Sequence, residues 1–233
     1  MSTIAANMQA VEATIAAAAE ACGRPRASVQ LLAVSKTFPM EAVLEAIAGG
    51  QRAFGENYLQ EGVEKIAAVA RAQPDTPVEW HFIGPIQSNK TRPIATSFAW
   101  VHTVERLKIA QRLSEQRPPE MGPLNICLQV NISGEATKSG ATPAELPELA
   151  RQVAALPNLR LRGLMAIPEA QTDPALQRAA FARLRVLADS LRAGGMPIDT
   201  LSMGMSGDMA AAIAEGATIV RVGSAIFGSR HYD

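Results

Sequence analysis

Eight short apolar or β-branched runs alternate with longer helical patterns along this chain, and this alternation limits the possible folds more than any other feature. Few hairpin signals separate the runs, so we expect parallel strands joined by helical crossovers. The predicted strands are 31–35, 52–55, 79–83, 100–103, 125–131, 160–166, 200–203 and 218–222. The predicted helices are 3–22, 40–48, 58–72, 88–95, 105–116, 143–155, 174–193 and 208–215.

Eight is the number of strands at which a parallel sheet closes into a (β/α)₈ TIM barrel, a fold of about 250 residues. The 233 residues fit that size, and we expect residues 1–233 to form one domain. Little chain follows the last predicted strand, so the extra N-terminal helix should cover that part of the barrel wall. A doubly wound open sheet is the alternative that composition leaves open.

Charge and cysteine content exclude several classes of protein. The 22 basic and 22 acidic side chains balance, whereas a nucleic-acid-binding protein would show a basic excess. Cys22 and Cys127 have neither disulfide-framework nor metal-site spacing, and Cys127 lies in an apolar run where it should pack in the core. The alanine-rich N-terminus has no basic leader, and no run approaches the roughly 18 apolar residues of a membrane span. We therefore expect a cytoplasmic protein that binds neither nucleic acid nor membrane.

Lys36 directly follows the first predicted strand, in the stretch LLAVSKTFP. In barrel enzymes the carboxyl ends of the strands carry the chemistry. A lysine that is desolvated there loses its proton more easily, and its neutral amine attacks a carbonyl to form a Schiff base. A lysine that extends to water from the rim is the competing interpretation. Lys65 and Lys108 fall within helical patterns and are expected to be solvated.

Glycine and serine follow the last two predicted strands. Ser206 and Gly207 precede the helix after strand seven, and Gly223 and Ser224 end strand eight. These two loops often build the phosphate site of a barrel, because glycine lets the backbone N–H groups approach an oxyanion and serine adds a donor. Barrel closure would place strand one about 4.8 Å from strand eight, beside these loops. A lysine next to a phosphate site fits pyridoxal 5′-phosphate, which has both an aldehyde and a phosphate.

Arg221 lies two residues before Gly223, on the same face of its strand and roughly 6.7 Å further down. From there its guanidinium would donate to the pyridine nitrogen of the cofactor. A permanently cationic donor disfavours a protonated ring, which makes the ring a weaker electron sink. An ion pair between Arg221 and a core carboxylate such as Glu56 is the alternative.

Six segments carry a family resemblance: AVSKT, FGENY, WHFIGPIQSNK, VNIS…KSG, GLMAIP and SMGMSGDMAAAI…VRVGSAIFG. They closely resemble the pyridoxal-phosphate homeostasis protein family, from about Leu31 to Gly228. The resemblance implies a single barrel like the N-terminal domain of alanine racemases, which carries the cofactor without established catalytic turnover. It also implies a role in vitamin B6 balance and in amino- and keto-acid metabolism.

The resemblance assigns roles to residues of this chain. It makes Lys36 the Schiff-base lysine and Arg221 the residue that faces the pyridine nitrogen. It places Ser206, Gly223 and Ser224 at the phosphate. The residues that it implies for the ring pocket are Asn57, His81 and Met165. Two departures are Phe38, where relatives often have a polar or basic residue, and the tail SRHYD, which lacks the lysines of some relatives.

The leading hypothesis is a monomeric carrier that holds pyridoxal 5′-phosphate and delivers it to apoenzymes that depend on it. An amino-acid racemase or lyase of narrow scope is the second, and it would need an acid or base on the other face of the ring. Tyr58 and Lys138 are the candidates for that group, although a packed tyrosine and a solvated loop lysine are the simpler interpretations. A third hypothesis is a sugar-phosphate enzyme that uses Lys36 in an aldolase-type imine. His102 is expected to be a core histidine.

Overall fold

A closed barrel of eight parallel strands forms the centre of the computed structural model, which describes residues 3–134 and 139–229. Strand order follows the chain, and the eighth strand pairs with the first. The strands are β1 (Gln30–Val34), β2 (Ala53–Glu56), β3 (Glu79–Phe82), β4 (Trp100–Val104), β5 (Leu124–Gln129), β6 (Leu159–Met165), β7 (Thr200–Ser202) and β8 (Ile219–Val222). Closure confirms the TIM barrel and excludes the open sheet.

Helices surround the barrel and follow each strand in turn. They are α1 (Thr3–Ala21), α2 (Met40–Ala48), α3 (Leu59–Ala72), α4 (Thr91–Ser97), α5 (Leu107–Gln116), α6 (Leu146–Ala154), α7 (Pro174–Ala193), α8 (Met209–Ala214) and α9 (Ser224–Phe227). The best-marked boundary is the start of α7. Its first residue is Pro174, whose missing N–H is not needed there, and the Asp173 carboxylate accepts a hydrogen bond from the N–H of Ala175 at 2.8 Å.

The N-terminal helix covers the barrel wall beside the end of the chain, as its position in the sequence predicts. Its buried residues, Met8, Val11, Ile15 and Ala19, recur at three- and four-residue spacing and form one apolar face. The helix packs against α8 and α9, and the side-chain amide of Asn7 donates to the carbonyl of Ile226 at 2.9 Å. The short α9 therefore needs α1 to complete its surroundings.

Three segments differ from the prediction. The helix expected at 88–95 is a 3₁₀ turn, Ser88–Lys90, followed by α4, and Pro93 falls within the first turn of α4 where a proline is tolerated. Helix α6 begins later than expected, because Thr142 donates through its N–H and hydroxyl to the carboxylate of Glu145 and holds a turn. The four-residue α9 has no counterpart in the prediction.

The barrel interior holds a small apolar cluster, separate from the larger core between sheet and helices. Cys127 belongs to it and is fully buried, which confirms its predicted packing role. Strands β6 and β7 approach so closely that a Cβ atom on Gly163 would lie 1.8 Å from the carbonyl oxygen of Thr200. Among the described helices, we find none with the length and apolar character needed to cross a membrane.

Candidate functional site

The carboxyl end of β1 lies beside β8, as barrel closure predicts. Leu32 pairs with Arg221 and Ala33 with Val222, so continuing the register brings the end of β1 next to Gly223. Lys36 is in the turn that follows β1 and is half-buried. It lies two residues beyond β1, at the same end of the barrel as the carboxyl end of β8. The predicted lysine and the predicted arginine thus share the carboxyl end of the barrel.

Helix α3 holds the turn that contains Lys36. Thr37 has a φ of 67°, a left-handed conformation that is uncommon for a residue other than glycine. Its N–H donates to the Glu61 carboxylate at 2.6 Å, and the Lys65 ammonium donates to the carbonyl of Ser35 at 2.8 Å. Backbone groups on both sides of Lys36 are therefore fixed by side chains of one helix, which stabilises a conformation that costs energy.

Lys65 is buried, so the expectation that it is solvated is wrong. Only 6% of it is exposed, and its ammonium lies 2.7 Å from Glu56 and 2.9 Å from Glu61. Burial raises the pKa of Glu56, and the ammonium of Lys65 opposes that shift. The sequence does carry a signal for this site: Gly62, Lys65 and Val69 are the buried positions of α3, at helical spacing.

Arg221 is 5% exposed and makes no ion pair among the described residues, so the alternative pairing with Glu56 is wrong. Its two terminal nitrogens donate to the hydroxyl of Ser202 at 2.8 Å and to the carbonyl of Ala166 at 3.1 Å. Burial lowers the pKa of the guanidinium to about 10, which leaves it protonated at neutral pH. Arg221 is thus a buried cation without an ion pair among the described residues, and the charge of Asp208 partly opposes the effect of burial on its pKa.

The two glycine–serine loops are adjacent at the rim. The N–H of Arg221 donates to the carbonyl of Gly204 at 2.9 Å, which joins the end of β8 to the loop after β7. Gly204 has a φ of 95°, and a Cβ there would lie 2.5 Å from the Cβ of Ala212. Ser206 and Ser224 are exposed, and the N–H groups of Gly207 and Ser224 find no acceptor in the described chain. These loops therefore present free donors to solvent.

The three residues assigned to the ring pocket occupy different depths. Asn57 follows β2 at the rim and is half-buried, and its carbonyl oxygen would be 2.0 Å from a Cβ on Gly84. Met165 ends β6, is fully buried and belongs to the interior cluster. His81 is also fully buried, with both ring nitrogens within hydrogen-bond distance of partners. The structure brings Met165 and His81 into the barrel interior, and their predicted contacts with a ring stay predictions.

A cavity of 280 Å³ opens at the rim on the side of β2 to β6, away from the glycine–serine loops. Its lining includes Asn57, Thr103, Glu105 and Gln129. Two of these side chains are already engaged, since Thr103 donates to the carbonyl of Gly84 at 2.6 Å and Glu105 accepts from the N–H of Gly140 at 2.9 Å. The rim therefore has open space with polar walls next to Asn57.

The two candidates for a second acid or base are not found in the barrel interior. Tyr58 is 53% exposed at the start of α3, and it lines a groove with Pro85, Ile86 and Lys90 rather than the interior cluster. Lys138 lies outside the described residues, as does the tail from Arg230. His102 is fully buried, which confirms its predicted place in the core.

Comparison with known proteins identifies relatives over the whole chain. Residues 6–231 match the family model described as the N-terminal domain of alanine racemase. The pyridoxal phosphate homeostasis protein of Pseudomonas aeruginosa is 64% identical over 232 residues, covering 100% of this chain and 98% of the relative. The protein of the same name from Escherichia coli K12 is 54% identical over 232 residues, covering 100% and 99%.

Solved structures agree with the fold. PipY of Synechococcus elongatus PCC7942, solved with PLP bound, is 37% identical with a TM-score of 0.81, covering 97% of this chain and 100% of that one. An alanine racemase from Corynebacterium glutamicum is 17% identical with a TM-score of 0.72, covering 97% of this chain and 61% of that one. At that identity the racemase shows the shared fold alone.

Proposed function

We propose, because the chain belongs to the pyridoxal phosphate homeostasis protein family, that it binds pyridoxal 5′-phosphate and acts in intracellular vitamin B6 balance. The observation that carries the proposal is the position of Lys36 in the turn that directly follows β1, the strand next to the one that bears Arg221. An amine, a buried cation and two donor loops meet at one end of the barrel. These are the groups that an aldehyde, a ring nitrogen and a phosphate each require.

The described residues fit this cofactor. Arg221 is cationic, buried and makes no ion pair among the described residues, so it can donate to the lone pair of an unprotonated ring nitrogen. Gly207 and Ser224 offer N–H groups that lack acceptors, and Ser206 and Ser224 offer hydroxyl groups at the exposed rim. Gly223 separates Arg221 from this rim and lets the backbone approach an oxyanion. When bound, the cofactor supplies an aldehyde and an electron-withdrawing ring.

In this proposal each residue of the site contacts one part of the cofactor or supports a residue that does. Lys36 would hold the cofactor through the carbon of its aldehyde, as a Schiff base formed with loss of water. The contacts from α3 hold the Lys36 turn in place. Asn57, His81 and Met165 line or support the ring pocket, and the serines and Gly223 hold the phosphate. The exposed position of Tyr58 favours a carrier over an enzyme, because no acid or base is held against a ring from that residue.

An absorbance titration tests cofactor binding. The wild-type protein should develop a visible band on addition of pyridoxal 5′-phosphate, and Lys36→Ala should not. Lys108→Ala, which removes an exposed lysine of α5, is the matched control and should behave as the wild type. A colourless wild-type protein, or a Lys36→Ala variant with the same band, would contradict the proposal.

A second experiment separates a carrier from a racemase. The loaded protein is mixed with an apoenzyme that depends on the cofactor, and activity of that enzyme is followed over time. A carrier should restore it, while amino acids incubated with the loaded protein in heavy water keep their α-proton. Exchange of the α-proton at a catalytic rate would instead support the racemase hypothesis.

A further inference from the structure

A line of hydrogen bonds crosses the barrel interior from Arg221 to Glu79. Arg221 donates to the Ser202 hydroxyl at 2.8 Å, and that oxygen lies 2.8 Å from Nδ1 of His102. Nε2 of His102 lies 2.8 Å from Nδ1 of His81, and Nε2 of His81 lies 3.0 Å from the Glu79 carboxylate. Four strands, β8, β7, β4 and β3, each contribute to the line. It connects the proposed cofactor end of the barrel with the opposite end.

The two ends of the line determine where every proton sits. A carboxylate only accepts, so Nε2 of His81 carries a proton, and a guanidinium only donates, so Ser202 accepts from Arg221. Burial lowers the pKa of both histidines, and the charge of Arg221 lowers that of His102 further, so both rings are neutral. A neutral His81 must accept at Nδ1, His102 must then donate from Nε2, and Ser202 must donate to Nδ1 of His102. Every hydrogen bond therefore runs in one direction, from Arg221 to Glu79.

This direction matters because Arg221 is a buried cation that makes no ion pair among the described residues, although the charge of Asp208 acts on it through space. A buried charge is costly unless it is paired or solvated by aligned dipoles. Each group in the line turns an acceptor toward Arg221, and hydrogen bonds in a chain polarise one another. The chain ends on a half-exposed carboxylate, whose pKa the hydrogen bond from His81 lowers to about 2. The line therefore joins Glu79 to Arg221 through three neutral side chains, in addition to the charge of Asp208, which acts on Arg221 directly.

We propose that Glu79, His81, His102 and Ser202 form a relay that holds Arg221 cationic and oriented as a donor toward the cofactor. The orientation toward a cofactor rests on the proposed function, whereas the proton positions do not. Stacking supports the geometry, since the His81 ring lies 5.3 Å from the Trp100 ring at an interplanar angle of 5°. In this relay Glu79, His81, His102 and Ser202 are positioning residues.

Nuclear magnetic resonance of the cofactor-free protein tests the relay without any cofactor. With ¹⁵N-labelled histidine, both buried rings should carry their proton on Nε2, and a scalar coupling should join Nε2 of His102 to Nδ1 of His81. The arginine side-chain signals of Arg221 should shift in Glu79→Gln. A protonated Nδ1 on either ring, or Arg221 signals that are the same in Glu79→Gln as in the wild type, would overturn the proposal.

Cofactor affinity gives the second measurement. Glu79→Gln should weaken binding by roughly 2- to 30-fold and shift the absorbance maximum of the bound cofactor, although Glu79 lies at the other end of the barrel. Ser202→Ala should have a similar effect. Ser202→Thr, which keeps the hydroxyl, should bind the cofactor with the affinity and absorbance of the wild type. Asp199→Asn is the matched control, because it removes an exposed carboxylate that pairs with Arg162 and takes no part in the relay.

Equal effects of Glu79→Gln and Asp199→Asn would overturn the relay, because bulk charge would then explain both. Unchanged binding and absorbance in Glu79→Gln would overturn it as well. Failure of the wild-type protein to bind the cofactor would instead contradict the proposed function, and the relay would then be judged by the magnetic resonance result.

Discussion

Replacement of Lys65, which contacts the Lys36 turn, measures how much this lysine contributes to the free energy of unfolding. Lys65→Met keeps the length and apolar stem of the side chain and removes the ammonium. Three contacts are lost: those with Glu56 at 2.7 Å, with Glu61 at 2.9 Å and with the carbonyl of Ser35 at 2.8 Å. Glu61 is partly exposed and can turn to water, but Glu56 is completely buried. The variant therefore leaves one carboxylate buried without a cation, with the hydroxyl of Ser35 at 2.6 Å as its remaining hydrogen-bond donor.

The expected loss of stability follows from protonation of Glu56, which removes its charge at the lowest free-energy cost. A carboxyl group with an ordinary pKa of about 4.3 must take up a proton at pH 7, which costs about 3.7 kcal/mol at 1.36 kcal/mol per pH unit. Burial already raises the pKa of Glu56 in the wild type, so part of this cost is present there too, and the lost hydrogen bond from Lys65 to the carbonyl of Ser35 adds about 1 kcal/mol. We expect a loss of about 3 to 4 kcal/mol, within the range for breaking a buried pair.

Urea unfolding at pH 7 and at pH 5 measures this loss. Lys65→Met should lose less stability, relative to the wild type, at pH 5, because protonation of Glu56 then costs less. The double variant Glu56→Gln/Lys65→Met should recover part of the loss, and Lys108→Met, on an exposed lysine, should change stability by less than about 0.5 kcal/mol. A loss below about 1 kcal/mol, or one that is the same at both pH values, would refute the buried-charge argument.

Two further predictions concern stability. Burial lowers the pKa of His81 and His102 in the folded protein, so only the unfolded chain takes up protons as the pH falls below the ordinary histidine pKa of about 6.5. Their stabilisation is complete above that pH and is lost below it, by up to about 2.7 kcal/mol per pH unit, and a His81→Gln/His102→Asn variant should show a smaller slope in urea unfolding between pH 7 and 5.5. Gly163→Ala should destabilise the barrel by about 3 kcal/mol or more in the same assay, because its Cβ would lie 1.8 Å from a carbonyl oxygen of β7, whereas Gly207→Ala, with open space around the added atom, should change little.

The barrel was predictable from the sequence because each strand and each helix before α9 has a local signal. Pro174 and Gly194 fix the ends of α7, and the predicted range 174–193 is the observed one. Helix α9 was missed because four residues carry no periodicity, and its place depends on α1, more than 200 residues earlier in the chain. Local sequence patterns do not predict contacts between segments that are far apart in the chain.

The site was predictable where position on a strand decides the role, as for Lys36 and Arg221. It was not predictable where a partner comes from another element. Lys65 shares the helical spacing of the buried residues Gly62 and Val69, but a charged side chain predicts exposure, and only its contact with Glu56 explains its burial. Ser202 gives no signal by itself, since a serine at a strand end is common. Its role emerges only when β7 and β8 bring it between His102 and Arg221.

Borohydride reduction followed by peptide mass mapping tests the central claim, that Lys36 anchors pyridoxal 5′-phosphate. Reduction fixes the cofactor on the amine and prevents trypsin from cutting after that lysine. The account predicts a single modified peptide of residues 27–52, which is cut after Lys36 in the unloaded protein. Cofactor found mainly on another lysine, or spread over several with Lys36 still cut, would contradict the account.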